Sequence, residues 1–190
     1  AGHKAFFIPI GASDEIGLWG YIAACEELKK DFARLQMVPE YIVVATGSGG
    51  TQGGLILGAE LFDLSSQIVA FNVSDDAAYF EAKIRKDVTL WMQRYKQQVD
   101  MDKLKITTVE GYIGPGYGVA GPEIFETIRD LASSDGIFLD PVYTGKAFHG
   151  MLSELRKGDA GQLADARNVL FIHTGGLFGV FPQQQNFVFD

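Results

Sequence analysis

"TGSGGTQGG", residues 46–54, follows the apolar run "YIVV" at 41–44 and leads into "LILGAELF" at 55–62. The run before it reads as a buried strand and the run after it as a helix. Five glycines in these nine residues let the backbone approach a ligand closely, and a helix start offers unpaired N–H groups. The stretch is expected to cradle an anion with the N–H groups of Ser48 to Thr51 and the hydroxyls of Ser48 and Thr51. It is not a P-loop, because no Gly-Lys-Ser/Thr follows. It is a poor dinucleotide fingerprint, since Gln52 stands where the third glycine belongs, although Asp75 or Asp76 keeps a nucleotide-binding Rossmann reading open. A tight turn without a ligand is the plain alternative.

Outward from this stretch, the chain reads as strand–helix repeats. Expected strands are Ala5–Ile10, Tyr41–Ala45, Ile68–Val73, Ile106–Val109, Gly136–Leu139 and Asn168–Ile172, all short, apolar and mostly β-branched or aromatic. Between them lie apolar stripes at helical spacing: Leu18, Tyr21, Ile22, Cys25, Leu28 and Phe32, then Phe80, Ile84, Val88, Trp91 and Tyr95. Ile124, Phe125, Ile128 and Leu131 form a third stripe, and Phe148, Met151, Leu152 and Leu155 a fourth. Alternation of this kind predicts one α/β domain over residues 1–190, a mostly parallel twisted sheet with helices on both faces. Gln183–Asn186 reads as a solvated tail.

The 190 residues are 47% hydrophobic and 21% charged, ordinary for a globule with one core. A formal charge of −8 argues against a nucleic-acid or anionic-membrane surface. No apolar run approaches the roughly 20 residues that cross a bilayer, and no signal peptide is visible. The single cysteine, Cys25, forms no internal disulfide and fits a reducing, cytoplasmic setting. His3, His149 and His173 have no metal-ligand spacing, so no metal is expected.

In a parallel sheet the strand-to-helix loops emerge at one edge, where ligands bind. Those loops read "GASDEIG", "TGSGGTQGG", "NVSDD", "EGYIGPGYGVAG", "DPVYTGK" and "HTGG", and they hold most of the glycines, hydroxyls and tyrosines outside the helices. Lys146, at a helix start where a cation is disfavoured, calls for a nearby anion or a surface ion pair. The edge offers an anion cradle and few strong acids or bases. That suits a phosphorylated organic cofactor acting as an electron sink.

Five ordered motifs, "IPIGASDEIGLWGY", "VVATGSGGTQGG", "GPGYGV", "GIFLDPVYTGKA" and "VLFIHTGG", closely resemble the D-cysteine desulfhydrase and 1-aminocyclopropane-1-carboxylate deaminase family. These are pyridoxal 5'-phosphate enzymes of the tryptophan-synthase-β-like fold, and this chain resembles part of their large domain. The resemblance implies that Gly47, Ser48, Gly49, Gly50 and Thr51 bind the cofactor phosphate, with Thr144 and Thr174 also at the cofactor. It implies catalytic roles for Tyr143 beside the cofactor and Tyr117 facing the substrate, and places the Thr174 hydroxyl near the pyridine nitrogen.

Within the family, the deaminases carry Glu after the "DPVY" tyrosine and Leu before the last "GG", whereas this chain has Thr144 and Thr174. The resemblance therefore implies D-cysteine desulfhydrase-like α,β-elimination from a small amino acid, giving pyruvate, ammonia and sulfide. Deamination of 1-aminocyclopropane-1-carboxylate is the alternative; an inactive truncated remnant or a nucleotide-binding domain are others. The family's Schiff-base lysine and substrate-carboxylate segment lie upstream of the matching region. The chain is thus expected to be the C-terminal part of a longer enzyme, inactive alone and homodimeric at full length.

Overall fold

The structure, a computed structural model, describes residues 2–189. Strand β1, Tyr41–Thr46, is buried at every residue after Tyr41. Its even positions Ile42 and Val44 join one apolar cluster and its odd positions Val43 and Ala45 another, so the strand is covered on both faces. The same holds for β2, Gln67–Asn72, with Ile68 and Ala70 on one side and Val69 and Phe71 on the other. Short strands β3, Thr107–Val109, and β4, Val169–Phe171, complete a four-stranded sheet in the order β3-β2-β1-β4. All its pairings are parallel, with Thr46 opposite Asn72.

Helices α1 (Leu18–Leu35), α2 (Gly50–Leu61) and α3 (Ala77–Tyr95) cover the first face. Helix α5 (Thr144–Arg156) covers the second, with α4 (Pro122–Asp135) packed behind it. The side chain of Asp14 accepts the N–H groups of Ile16 and Gly17 at 3.0 and 2.8 Å in the turn that leads into α1, and Asp76 caps α3 by accepting that of Tyr79 at 2.7 Å. Helices α1 and α2 approach closely because α2 is bare there. A Cβ on Gly54 would lie 2.8 Å from the Leu18 carbonyl oxygen, and one on Gly58 2.7 Å from the Cys25 sulfur. Two of the five glycines in the opening stretch, Gly53 and Gly54, thus serve helix packing rather than a ligand.

Two of the six expected strands do not form. Ala5–Ile10 has no regular structure before a short 3-10 turn at Ile10–Ala12, with Phe6, Phe7, Ile8 and Ile10 exposed and no ladder partner among the described residues. An apolar run becomes a strand only where a neighbouring strand takes its backbone groups. Gly136–Leu139 begins with the left-handed glycine that ends α4, and the Phe138 carbonyl faces the His173 ring nitrogen at 2.8 Å instead of a strand. Gln183–Asn186 lies in a surface 3-10 helix, Phe181–Asn186. No helix of the described residues is long and apolar enough to cross a membrane.

Candidate active site

Parallel strands bring the loops after β1, β2, β3 and β4 to one edge of the sheet. At its centre, β1 ends in Thr46 and the chain turns through Gly47, Ser48 and Gly49 into α2. Gly49 adopts φ +86°, the left-handed conformation that a side chain disfavours. No side chain caps α2, so its first N–H groups are left to an external acceptor. Ser48 and Thr51 are half-buried at this start.

The cradle is braced from three sides. Ser13 donates its hydroxyl to the Ser48 carbonyl at 2.6 Å, and Ser74 donates to the Gly47 carbonyl at 3.0 Å. Lys83 holds Ser13 in turn, donating to its carbonyl at 2.9 Å while paired with the buried carboxylate of Asp87. Burial, the largest influence, pushes the Asp87 carboxyl above the ordinary carboxylate range against the pull of Lys83. From below, Gln52 is fully buried and donates to Thr108 Oγ1 at 2.8 Å, tying the first turn of α2 to β3.

The glycine geometry also locates what each would touch. A Cβ on Gly50 would meet Ser13 Oγ at 3.1 Å, one on Gly11 would meet Ser48 Oγ at 2.5 Å, and one on Gly47 would meet Tyr143 Cε1 at 2.9 Å. The 11–13 turn, the cradle and Tyr143 therefore form one continuous surface. At Gly49 a Cβ would point inward, 3.4 Å from Lys83 Cγ and 3.6 Å from Phe80.

Tyr143 is placed by Asp140, which is 1% exposed. Asp140 Oδ2 accepts the N–H groups of Val142 and Tyr143 at 2.8 and 2.9 Å, and Oδ1 accepts the Thr144 N–H at 2.8 Å. Thr144 is fully buried and its hydroxyl donates to Asp140 Oδ1 at 2.7 Å while accepting the Asp140 N–H at 2.9 Å. The structure thus turns Thr144 toward Asp140. Gly176 of the "HTGG" loop closes over the same carboxylate, where a Cβ would lie 2.7 Å from Asp140 Cγ. Thr174 is exposed at that loop's start.

The phenols of Tyr117 and Tyr143 hydrogen-bond each other, their rings edge-to-face with centroids 5.9 Å apart. Burial first, then the Tyr117 hydrogen bond, pushes Tyr143 up to about 12, so its phenol keeps its proton at neutral pH. Lys146 makes no direct ion pair among the described residues: it is fully buried and donates to the carbonyls of Ile113 and Gly116 at 2.6 and 2.8 Å, with the carboxylates of Asp140 and Glu123 near enough to favour its charge. Burial lowers its pKa.

The edge brings together Gly47, Ser48, Gly49, Gly50, Thr51, Tyr117 and Tyr143, with Thr144 behind Tyr143 and Thr174 at the adjoining loop. Ser13, Lys83 and Asp140 are supporting residues that motif reading passed over, and Gln52 and Lys146 join them through partners that no motif displays. A cleft of about 740 Å³ lined by Pro39, Ser66 and Lys103 lies at the opposite edge, away from this surface. Asp76, a candidate ribose ligand, is engaged as the α3 cap. Among the described residues, no group of three or more His, Cys, Asp or Glu side chains is gathered to hold a metal.

A parallel α/β sheet with an uncapped, glycine-walled helix start beside a tyrosine pair is an arrangement suited to seating an anionic group at a strand edge. Residues 1–175 match the family model described as pyridoxal-phosphate dependent enzyme, and the chain belongs to that family. It is 38% identical over 188 residues to "Putative 1-aminocyclopropane-1-carboxylate deaminase" of Thermotoga maritima, covering 98% of this chain and 56% of that protein. It is 36% identical to the "Bifunctional D-cysteine desulfhydrase/1-aminocyclopropane-1-carboxylate deaminase, mitochondrial" of Arabidopsis thaliana, covering 96% of this chain and 44% of that protein.

A crystal structure described as an ACC deaminase homologue superposes with a TM-score of 0.81 at 34% identity, over 97% of this chain and 53% of that one. The fold is therefore the tryptophan-synthase-β-like fold of pyridoxal-phosphate enzymes. The chain spans about half the length of these relatives.

The residues present fit the phosphate of this cofactor. The left-handed Gly49, the uncapped start of α2 and the half-buried hydroxyls of Ser48 and Thr51 make an anion seat with no competing carboxylate hydrogen-bonded to it among the described residues.

Proposed function

We propose that this chain supplies the cofactor-phosphate seat and the catalytic tyrosines of a D-cysteine desulfhydrase-like lyase. The observation that carries the reading is the contact of the Tyr143 ring with Gly47, which sets a neutral phenol against the anion cradle. Gly47, Ser48, Gly49, Gly50 and Thr51 hold the phosphate, and Thr174 faces the cofactor ring from the loop after β4. Thr144 acts through Asp140, which fixes the start of α5 and so the direction of Tyr143.

Bound pyridoxal phosphate supplies the electron sink that takes up charge when the substrate Cα–H is broken. Tyr143 keeps its proton on Oη at neutral pH and would give it to a sulfur that leaves from the substrate's thiolate form, since the departing sulfide dianion is more basic than the phenolate and becomes hydrosulfide. Tyr117 orients that phenol through the shared hydrogen bond. Elimination from D-cysteine, with water, gives pyruvate, ammonia and sulfide.

Deamination of 1-aminocyclopropane-1-carboxylate is the second reading, supported by the names of the relatives. Thr144 and Thr174, where the resemblance puts Glu and Leu in the deaminases, favour the first. The two are separated by supplying each substrate to the cofactor-loaded protein at its full natural length. Sulfide and pyruvate from D-cysteine support the desulfhydrase reading. Ammonia from the cyclic substrate, with no sulfide from D-cysteine, replaces it with the second, and no product from either overturns both.

A further inference from the structure

Lys146 occupies an expensive place. It lies in the first turn of α5, where the helix dipole disfavours a cation, and it is fully removed from solvent. No carboxylate lies within ion-pair distance of it among the described residues. Its ammonium instead reaches across to the loop after β3 and donates to two carbonyls three residues apart, Ile113 at 2.6 Å and Gly116 at 2.8 Å. Hydrogen bonds from a charged donor are the strong kind, and here they offset the burial together with the more distant carboxylates of Asp140 and Glu123.

The loop so held contains Gly111, Gly114, Gly116 and Gly118 and has only an isolated bridge, Gly116 to Val119, of its own. Such a segment has high conformational freedom unless something outside fixes it. Tyr117 follows directly on the second clamped carbonyl and is 57% exposed, so packing alone does not hold its ring. Its phenol nevertheless meets that of Tyr143, three residues before Lys146 on the same helix start.

We propose that Lys146 is the positioning residue of the tyrosine pair: its buried ammonium gathers the Ile113 and Gly116 carbonyls and thereby presents Tyr117 to Tyr143. One short helix start thus carries both the acid, Tyr143, and the anchor that brings its partner. The consequence for catalysis rests on the reading of Tyr143 as the acid of the site. The clamp itself does not.

The test is Lys146→Met, which keeps the aliphatic stem and removes the ammonium. With far-ultraviolet circular dichroism unchanged, chymotryptic cleavage after Tyr117 is expected to rise about tenfold while the rest of the map stays as in the wild type. Tyr143, followed by ultraviolet titration against a Tyr143→Phe reference, should ionise at lower pH and no longer respond to Tyr117→Phe. Wild-type cleavage together with a titration still sensitive to Tyr117→Phe overturns the proposal. If Lys146→Met does not fold, the Lys146 ¹⁵Nζ resonance of the wild-type protein decides. Slow solvent exchange with couplings to both carbonyls supports the clamp, and rapid exchange without them overturns it. None of these readouts needs the cofactor, so a clamp without pyridoxal-phosphate binding overturns the functional reading alone.

Discussion

The ring of Tyr143 rests on the bare backbone of Gly47, so closely that a Cβ added there would stand 2.9 Å from ring atom Cε1. That Cβ would also stand 3.3 Å from Val73 Cγ2. Alanine at 47 therefore has to move the ring rather than slip beside it. With the phosphate seat and the acid joined at this contact, Gly47→Ala is expected to lower turnover of the cofactor-loaded, full-length protein about 100-fold through misplacement of the phenol. The measurement is kcat beside cofactor content. Unchanged kcat would show that the contact does not set the position of Tyr143.

Thr144 gives a prediction of a different kind, because its hydroxyl both donates to Asp140 Oδ1 and accepts the Asp140 N–H inside a buried site. Thr144→Val keeps the shape, orphans the buried Asp140 N–H and takes one of two donors from Asp140 Oδ1, which still accepts the Thr144 N–H. A loss of about 1–3 kcal/mol is expected, read as a lower urea midpoint at constant m-value. A fully stable valine variant would show that the Thr144 hydroxyl does not hold the start of α5.

The sheet was legible where strands are covered on both faces: Ile42–Ala45 and Ile68–Phe71 read as continuous apolar runs because each face packs on a different helix layer. It was misread at Ala5–Ile10 and Gly136–Leu139, where composition is equally apolar but the backbone finds no strand neighbour. Pairing is a long-range property that local composition does not carry. The site shows the same division. Glycine clusters and loop tyrosines announce themselves, whereas Asp140, Lys146, Lys83 and Gln52 work through backbone carbonyls, amides or residues distant in sequence. Lys146 calls for an anion by its place at a helix start; the carboxylates of Asp140 and Glu123 act on it from beyond ion-pair distance, while its direct partners are uncharged carbonyls that no motif displays.

Cys25 tests the packing of α1 on α2. Its thiol is buried against Gly58 and faces the Leu55 carbonyl, 3.4 Å away, and burial pushes its pKa up to about 12 from an ordinary 9.0. At pH 8 only about one thiol in ten thousand is ionised in the folded state, so alkylation should be negligible until the protein unfolds. The sign of the linkage follows. Between pH 9.0 and about 12 the unfolded chain has released a proton that the native thiol still holds, so stability falls as pH rises through that window. Cys25→Ala should remove this part of the slope, seen as a difference between the two proteins' denaturation midpoints from pH 8.5 upward. Fast native-state alkylation at pH 8 would show that the helix contact opens.

The role of Tyr143 is open to a test in which two variants pull in different directions. Tyr143→Phe removes only the phenolic proton and leaves the ring on Gly47, so cofactor content should hold while kcat falls about 10²–10⁴-fold, as expected for loss of a positioned acid. Tyr117→Phe leaves that acid in place but withdraws the hydrogen bond that helps keep it protonated. The Tyr143 phenol then ionises at lower pH. Since the protonated form is the active one in this reading, activity is lost as pH rises through the Tyr143 pKa, and the alkaline limb of kcat should move to lower pH in Tyr117→Phe. The Tyr143→Phe protein, with no such proton, should lack that limb. A Tyr143→Phe enzyme with full turnover reduces Tyr143 to a packing residue. An alkaline limb that is identical in wild type and Tyr117→Phe breaks the link between the two phenols while leaving the cradle assignment standing.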